Sequence, residues 1–250
     1  MHLETIAARF AEGLVAVDAA TTHVQVNART GAPYLPGVPS MNEETFVANV
    51  ARWWHNKHPE DFSTDETLHT GVPYPINARQ KCDLVVATQP VMGEPRAEWA
   101  VEVKRVQLVG DNGKNNDFGM AKLLSPYLKD RSLAHDVERL AAARVAPRQA
   151  VLLYGFEYGP ATLRRARELH PGEASRIRNI EDVCRKNDPE GSVLSLRPLV
   201  RAVNAVLLAD ALVLGDPVVV EFKGAWKHPC GGDGLVCAWE LAHGMAPLVV

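Results

Sequence analysis

The chain has 250 residues, of which 46% are hydrophobic and 23% are charged, as is ordinary for a soluble globular protein. These fractions exclude a collagen-like chain, a coiled coil and a largely disordered protein. The 27 basic and 30 acidic residues give a formal net charge of −3. That balance excludes a general attraction to nucleic acid but leaves room for a local basic face.

The first residues and the cysteines both bear on location. The N-terminal residues mix charged and apolar side chains at helical spacing, without the basic start and apolar run of a secretory signal. The most apolar later stretch, 203–214, is interrupted by Asn204 and Asp210 and is too short to span a bilayer. Four cysteines stand without a paired framework. We therefore expect a protein of the reducing cytoplasm with no membrane segment.

In the first third of the chain, apolar spacing predicts a helix over 3–19 and a turn-rich connector over 32–39. A second helix is predicted to run to about residue 56. Ser40 or Asn42 can cap it, because a side-chain oxygen there can accept a hydrogen bond from an unpaired first-turn N–H. The proline-containing segment 71–75 is predicted to be irregular.

Two strands are predicted next, at 83–87 and 99–104. The first is apolar and β-branched, and the second alternates between apolar and charged or small residues. The turn residues between them, which include Pro90, Gly93 and Pro95, favour a hairpin. An open polar loop is predicted at 110–117.

The remaining elements alternate between helices and strands. Ser125 and Pro126 are typical of a helix start. Further elements are predicted at about 130–143 (helix), 149–156 (buried strand), 160–170 (helix), 199–214 (largely buried helix), and 218–222 and 235–239 (strands). The pattern predicts an α/β (α+β) fold around a mixed sheet, in a single domain spanning 1–250.

Three charged residues stand in or beside the two hairpin strands. Asp83 opens the first strand, and Glu102 and Lys104 project from one face of the second. Charges in apolar strands cost free energy on burial unless something compensates them. A hairpin register can bring Asp83 beside Glu102, where a hard divalent cation would relieve the repulsion between the carboxylates. A neighbouring ammonium group could orient or deprotonate a metal-bound water.

The order of these residues resembles the PD-(D/E)XK nuclease superfamily, which is restriction-endonuclease-like in fold. The pattern here is Asp83, eighteen intervening residues, then Glu102-Val103-Lys104. The proline that usually precedes the aspartate is Cys82 in this chain. The likeness covers about 42–156, and we expect residues from about 157 to 250 to form a C-terminal extension of helices and strands.

The resemblance implies a metal-dependent phosphodiesterase that acts on DNA as an endonuclease. Its catalytic residues would be Asp83, Glu102 and Lys104. Mg²⁺, or Mn²⁺, would be held by the first two side chains and by the carbonyl of Val103. Members of the family often carry a further acidic residue on the preceding helix, and either Glu43 or Glu44 matches that place.

Two groups of residues are candidates for contacts with DNA. Lys114 and Asn115 follow the hairpin closely in the sequence. Arg164, Arg165 and Arg167 begin a segment rich in positive charge, and phosphate contacts need such residues without any base specificity. An equally good interpretation of this segment is a solvated helical surface with ion pairs.

Other interpretations of the charged residues remain open. Glu102 and Lys104 could form an exposed cross-strand charge ladder, worth about 0.2–1 kcal/mol per pair, with Asp83 capping a turn. A second Glu-x-Lys occurs at Glu221 and Lys223, but its nearest aspartate belongs to the same predicted strand. A zinc site is a weaker alternative, because its residues lack the usual paired spacing: His228, Cys230, Cys237 and His243.

Two alternative functions also remain. One is a non-catalytic nucleic-acid-binding or regulatory module that keeps the fold, and the other is a hydrolase of a small phosphate ester. A homodimer is an assembly we consider, because many enzymes that cut both DNA strands are dimers.

Overall fold

The computed structural model describes residues 1–22, 26, 31–88, 96–116, 123–124 and 132–242. Its helices are α1 (Leu3–Ala20), α2 (Glu43–Lys57), α3 (Leu133–Ala143), α4 (Pro160–Leu169), α5 (Ala174–Asn187) and α6 (Arg197–Ala209). Its strands are β1 (Glu66–Tyr74), β2 (Asn77–Thr88), β3 (Arg96–Val106), β4 (Arg148–Phe156), β5 (Val218–Ala225) and β6 (Gly232–Glu240).

The six strands form one mixed sheet in the order β1-β2-β3-β4-β6-β5. Only the β3–β4 pair is parallel among these neighbours, and the other pairs are antiparallel. Helix α3 lies in the crossover that parallel pairing requires. The two strands of the C-terminal third extend the same sheet. The predicted mixed α/β class is therefore confirmed.

Helices cover both faces of the sheet. Helices α1, α2, α4 and α5 pack on one face, where Val101 and Val103 of β3 join their core. Helices α3 and α6 pack on the other face, where Ala100 lies. This alternation along β3 turns Glu102 toward the α3 side, because successive side chains of a strand point to opposite faces.

Several elements differ from the sequence-based prediction. The segment predicted to be irregular belongs to β1, since Pro73 is tolerated in a strand at the edge of the sheet. Asp83 does not open its strand, because β2 already begins at Asn77. Helix α6 ends at Ala209 and leaves Val206 and Leu208 exposed, so it is shorter and more solvent-exposed than predicted.

Some predicted features fall outside the described residues: the turn residues Pro90, Gly93 and Pro95 and the helix start at Ser125 and Pro126. None of the helices that the structure describes combines the length and the apolar character needed to cross a bilayer.

Candidate active site

The candidate site lies where β2 and β3 separate. The pairing of these strands runs to Leu84 opposite Val101 and is not continued beyond that point. The backbone N–H of Val103 instead donates to Oδ2 of Asp83, at 2.8 Å. A backbone N–H inside a protein needs an acceptor. The Asp83 carboxyl group supplies it here, and this fixes the carboxyl group against β3.

A second carboxylate reaches β3 from helix α2. Asn42 caps this helix by accepting from the N–H of Thr45 at 2.8 Å, as one of the two predicted caps. The next residue, Glu43, accepts from the backbone N–H of Arg105. The Arg105 guanidinium in turn donates to the carbonyl of Met41 at 2.7 Å. The start of α2 is thereby tied to the C-terminal end of β3.

The structure separates the two glutamates that the sequence left open. Glu43 faces the sheet, whereas the side chain of Glu44 is 78% exposed. Glu44 lies 3.4 Å from Nζ of Lys81 on β2, at the rim of the site. Glu43 is therefore the acidic residue of α2 that belongs to the interior of the site.

Glu102 is buried and held from two sides. Its side chain is only 3% exposed. Its Oε1 accepts from the Tyr74 hydroxyl of β1 and, at 2.8 Å, from Nη2 of Arg139 on α3. Burial raises the pKa of Tyr74, and the charge of Glu102 and the hydrogen bond to it raise it further, so the phenol remains a donor. Glu102 is thus fixed in a single orientation.

Lys104 is also held by helix α3. Its Nζ lies 2.6 Å from Oδ2 of Asp136, which is 1% exposed. Oδ1 of Asp136 accepts from Arg139 at 2.7 Å. Burial raises the pKa of Asp136 to about 6, although the positive charge of Lys104 acts in the opposite direction. Burial alone would lower the pKa of Lys104, but the Asp136 and Glu43 carboxylates keep it above its usual value.

The carboxyl groups of Asp83 and Glu102 interact where the pairing of β2 and β3 ends. Burial is the main reason that the pKa of Asp83 is raised, and the charge of Glu102 and a hydrogen bond with its carboxyl group add to the effect. Glu43 contributes further negative charge. Two neighbouring buried carboxyl groups resist double ionisation unless a cation or a proton lies between them. The structure thus has the two carboxyl groups interacting, and their joint binding of a cation stays a prediction.

A cavity of about 440 Å³ opens beside Asp83. It lies between α2 and the β1–β2 hairpin, and Arg79 and Lys81 line it together with Asp83. Gly71 lies opposite Asp83 on β1 and has a φ of +63°, a conformation that favours glycine. A side chain at Gly71 would lie against Lys81 and Glu44 at the rim of this cavity.

The donor chemistry at this point fits a hard divalent cation. Asp83 and Glu102 supply two carboxyl groups, and Mg²⁺ in proteins is commonly held by one or two carboxylates while it keeps several waters. Within the described ranges, no group of three or more His, Cys, Asp or Glu side chains is placed to hold a metal by itself. A cation here would therefore need water or backbone oxygens to complete its coordination.

The predicted DNA contacts lie on other elements. Lys114 is exposed, and Asn115 forms an isolated β-bridge with Val109 in the loop after β3. Arg164, Arg165 and Arg167 are exposed on α4, where Arg165 pairs with Glu168 at 3.1 Å and Arg167 pairs with Glu181. None of these five residues is among the described residues that line the Asp83 cavity. Their contact with DNA stays a prediction.

The competing clusters do not assemble. Glu221 is exposed and pairs with Arg197 across the surface. Cys230 and Cys237 belong to the cores on opposite faces of the sheet, so a single zinc ion cannot bind both. The fourth residue of that alternative, His243, lies outside the described residues.

Sequence reasoning missed three residues that support the site: Tyr74, Asp136 and Arg139. One signal was available for Asp136, which follows Leu133 by three positions and precedes Leu140 by four. An aspartate in the apolar stripe of a helix needs a buried partner. Arg139 lies three residues later on the same face.

Comparisons of this chain with protein-family models, with curated proteins and with solved structures return no match. The assignment of the site therefore depends on the geometry described above.

Proposed function

We propose that the protein is a metal-dependent phosphodiesterase that cleaves DNA, with a PD-(D/E)XK type of site. The observation that carries the proposal is the pairing of the Asp83 and Glu102 carboxyl groups, with Lys104 two residues further along the same strand. An open cavity with two basic side chains adjoins Asp83. Carboxylates that can hold Mg²⁺ beside an accessible cavity suit hydrolysis of a phosphodiester.

The side chains of Asp83 and Glu102 would hold Mg²⁺ or Mn²⁺, and the further candidate ligands are the Val103 carbonyl on β3 and Glu43 at the start of α2. The bound cation would supply Lewis-acid stabilisation of the phosphoryl charge and acidify a water molecule. Asp83 has a second task, because its bond to the Val103 N–H fixes the backbone beside the cation site.

Lys104 would orient the attacking water or stabilise the negative charge of the transition state. Asp136 fixes the position of its ammonium group, and Arg139 fixes Glu102 in the same way. Both partners belong to α3, so this helix acts as the rigid support for the reacting groups. Such outer partners typically change metal affinity or activity by about 10–100-fold.

One observation favours the alternative of a non-catalytic module that keeps the fold. Glu102 and Lys104 each already have an internal partner of opposite charge. Such a network can persist without a metal ion. A hydrolase of a small phosphate ester is a further candidate, because a cavity of about 440 Å³ is in the usual range for small ligands.

Calorimetry with Mg²⁺ and Mn²⁺ tests the proposal, together with cleavage of a supercoiled plasmid. The matched pair of variants is Asp83→Asn and Asp216→Asn, because Asp216 precedes the second Glu-x-Lys and accepts only a surface bond from Asn204. We expect Asp83→Asn to lose cation binding and cleavage, and Asp216→Asn to keep both. Wild-type protein that binds neither cation would contradict the proposal and favour the non-catalytic module. Hydrolysis of small phosphate esters without plasmid cleavage would favour the third function.

We further propose a cytoplasmic location, supported by four free, buried cysteines among the described residues. A homodimer would suit cleavage of both strands of a duplex, and sedimentation of the protein with a short duplex tests it.

A further inference from the structure

The β1–β2 hairpin projects beyond the sheet at the candidate site, and its tip is exposed. Ile76 in the turn is 68% exposed, more than any other large apolar side chain that the structure describes. The residues from Asn77 to Arg79 are also exposed. At the other end of the segment, Tyr74 is buried and its hydroxyl donates to Glu102. The hairpin is thus anchored at its base inside the site while its tip stands in solvent.

A line of charged side chains leads from this tip to the site. Arg79, Lys81 and Asp83 alternate along β2, and all three line the same cavity. Residues two apart on a strand point to the same side and lie about 7 Å from one another. Two cations therefore precede Asp83 at regular steps along one surface.

These two cations are only weakly engaged by the protein. The nearest partner of Lys81 is Glu44, with 3.4 Å between the charged atoms, and both side chains are more than half exposed. Arg79 has no ion pair with any carboxylate among the described residues. An exposed pair of this kind is worth little, so an anionic ligand could displace Glu44 readily. In contrast, Arg165 and Arg167 on α4 are compensated by glutamates.

We propose that the β1–β2 hairpin, residues 66–88, is an arm that binds the sugar-phosphate backbone of the substrate strand and leads it to Asp83. Arg79 and Lys81 contact successive phosphates, and Ile76 packs against the bases or the groove wall. The inference rests on the proposed function, because it assigns the substrate contacts of that same site. It replaces α4 as the principal phosphate-binding element.

The chemistry of the arm fits a polyanion with an apolar interior. Phosphate contacts need positive charge without base specificity, which Arg79 and Lys81 provide. Exposed isoleucine side chains in DNA-binding proteins insert at base steps or pack in a groove. Tyr74 at the base connects the arm to Glu102. A strand lying along Arg79 and Lys81 would end beside Asp83.

Fluorescence anisotropy tests the inference with a labelled duplex and a labelled single strand of equal length. Ca²⁺ replaces Mg²⁺ to occupy oxygen ligands. The variant Arg79→Ala/Lys81→Ala is compared with Arg164→Ala/Arg165→Ala on α4. We expect the arm variant to lose about 10-fold in affinity at 0.1 M salt. We also expect the slope of log K against log salt to fall by about 2, since each lost phosphate contact removes about 0.9.

Two more variants distinguish the parts of the arm. Arg79→Lys/Lys81→Arg preserves the charge and should keep the salt slope. Ile76→Ser should weaken binding while leaving the salt slope unchanged, because it removes an apolar contact. If the arm variant loses affinity for the duplex probe alone, the ligand is a duplex. If it loses affinity equally for both probes, the sugar-phosphate backbone of one strand is sufficient for binding.

The inference is overturned if the arm variant keeps the wild-type salt slope, if the α4 variant loses as much affinity, or if the wild type binds neither probe. The proposed function is judged separately by plasmid cleavage with Mg²⁺. Cleavage with an unaffected arm variant would overturn the arm and keep the function. Salt-dependent binding through the arm without cleavage would overturn the function and keep the arm.

Discussion

Two strands of this protein carry the same Glu-x-Lys pattern, and their surroundings differ completely. On β3, Glu102 is 3% exposed and Lys104 is 14% exposed, and each has a charged partner on α3. On β5, which forms an edge of the sheet, Glu221 is 55% exposed and pairs with an arginine at the surface. The sequence pattern is identical, but only the β3 copy is enclosed by other charged groups.

The difference teaches what makes such a pattern chemically useful. A charge at a solvated edge is already stabilised by water, so its neighbours can be replaced with little effect. A buried charge must be compensated by the fold, and the protein commits Tyr74, Asp136 and Arg139 to that task on β3. These three residues fix the positions of Glu102 and Lys104. A catalysed reaction requires its reacting groups to be held in place in this way.

The largest expected effect on stability comes from removing the carboxylate of Glu102. Glu102→Ala leaves the Arg139 guanidinium and the Tyr74 hydroxyl without their shared acceptor. Breaking a buried charge pair from one side typically destabilises by about 3–5 kcal/mol. Urea unfolding followed by circular dichroism measures it.

Glu102→Gln is the matched control for that prediction. Its amide oxygen can still accept both hydrogen bonds, so the loss should be smaller than for alanine. If the free energy of unfolding of Glu102→Ala lies within about 0.5 kcal/mol of the wild-type value, Glu102 on β3 is as solvated as Glu221 on β5.

The next effect is on cleavage. Lys104→Met removes the ammonium group and keeps most of the side-chain volume, so transition-state stabilisation should fall by about 10²–10³-fold. Lys223→Met makes the same change on β5 and should leave the rate unchanged, because its side chain is exposed. Initial rates of plasmid nicking compare the two. Equal rates for both variants would remove the distinction between the strands.

The sequence was sufficient to predict the β3 site in outline. The alternation along 99–104 identified the face shared by Glu102 and Lys104, and apolar runs identified the central strands. It was not sufficient to place Asp83, because the strand pairing ends at Leu84 and the carboxyl group then binds the Val103 N–H. Local periodicity carries no information about where two strands separate.

The support from α3 was also beyond the sequence. Asp136 and Arg139 lie more than thirty residues after Glu102, and only the crossover between parallel strands brings them back over β3. Such contacts depend on the tertiary fold, as does the exposed pairing of Glu221 with Arg197 of α6. A pattern within one strand carries no information about partners on a distant element.

A third test asks how far Asp136 matters for Lys104. Asp136→Asn keeps the size of the side chain but removes the negative charge that fixes the ammonium group at 2.6 Å. We expect a fall in cleavage of about 10–100-fold. Calorimetry should show that Mn²⁺ still binds, because Asp83 and Glu102 are unchanged.

The control for Asp136→Asn is Asp182→Asn, since Asp182 forms only an exposed pair with Arg185 on α5. That variant should cleave as the wild type does. If Asp136→Asn also keeps the wild-type rate, helix α3 has a packing role alone.

The pH dependence of stability tests the carboxyl pair. The pKa of Asp83 is higher in the folded protein than its usual value, chiefly because of burial. Below about pH 4 the carboxyl group is protonated in both states. As the pH rises, the unfolded chain ionises there while the folded protein retains the proton, so stability is lost toward the folded-state pKa.

Asp83→Asn should remove this loss, since its amide oxygen can still accept from Val103. We expect the variant to gain at least about 1.4 kcal/mol relative to wild type between pH 4 and pH 7, the equivalent of a tenfold change in proton affinity. Urea unfolding across this range measures the difference. Asp65→Asn, at an exposed carboxyl group, should show no such trend. If the difference in unfolding free energy between Asp83→Asn and wild type does not change with pH, the carboxyl group of Asp83 is solvated in the wild type.

The smallest expected effect is on β5. Glu221→Ala removes one exposed partner of Arg197, and exposed pairs of this kind contribute about 0–1 kcal/mol. We expect the free energy of unfolding, measured in urea, to change by no more than about 0.5 kcal/mol. The change should be smaller at about 1 M salt, where surface charges are screened. A loss comparable to that of Glu102→Ala would mean that β5 is covered by something in solution. In that case β3 and β5 would differ in which molecule covers them, and not in how deeply their charged residues are buried.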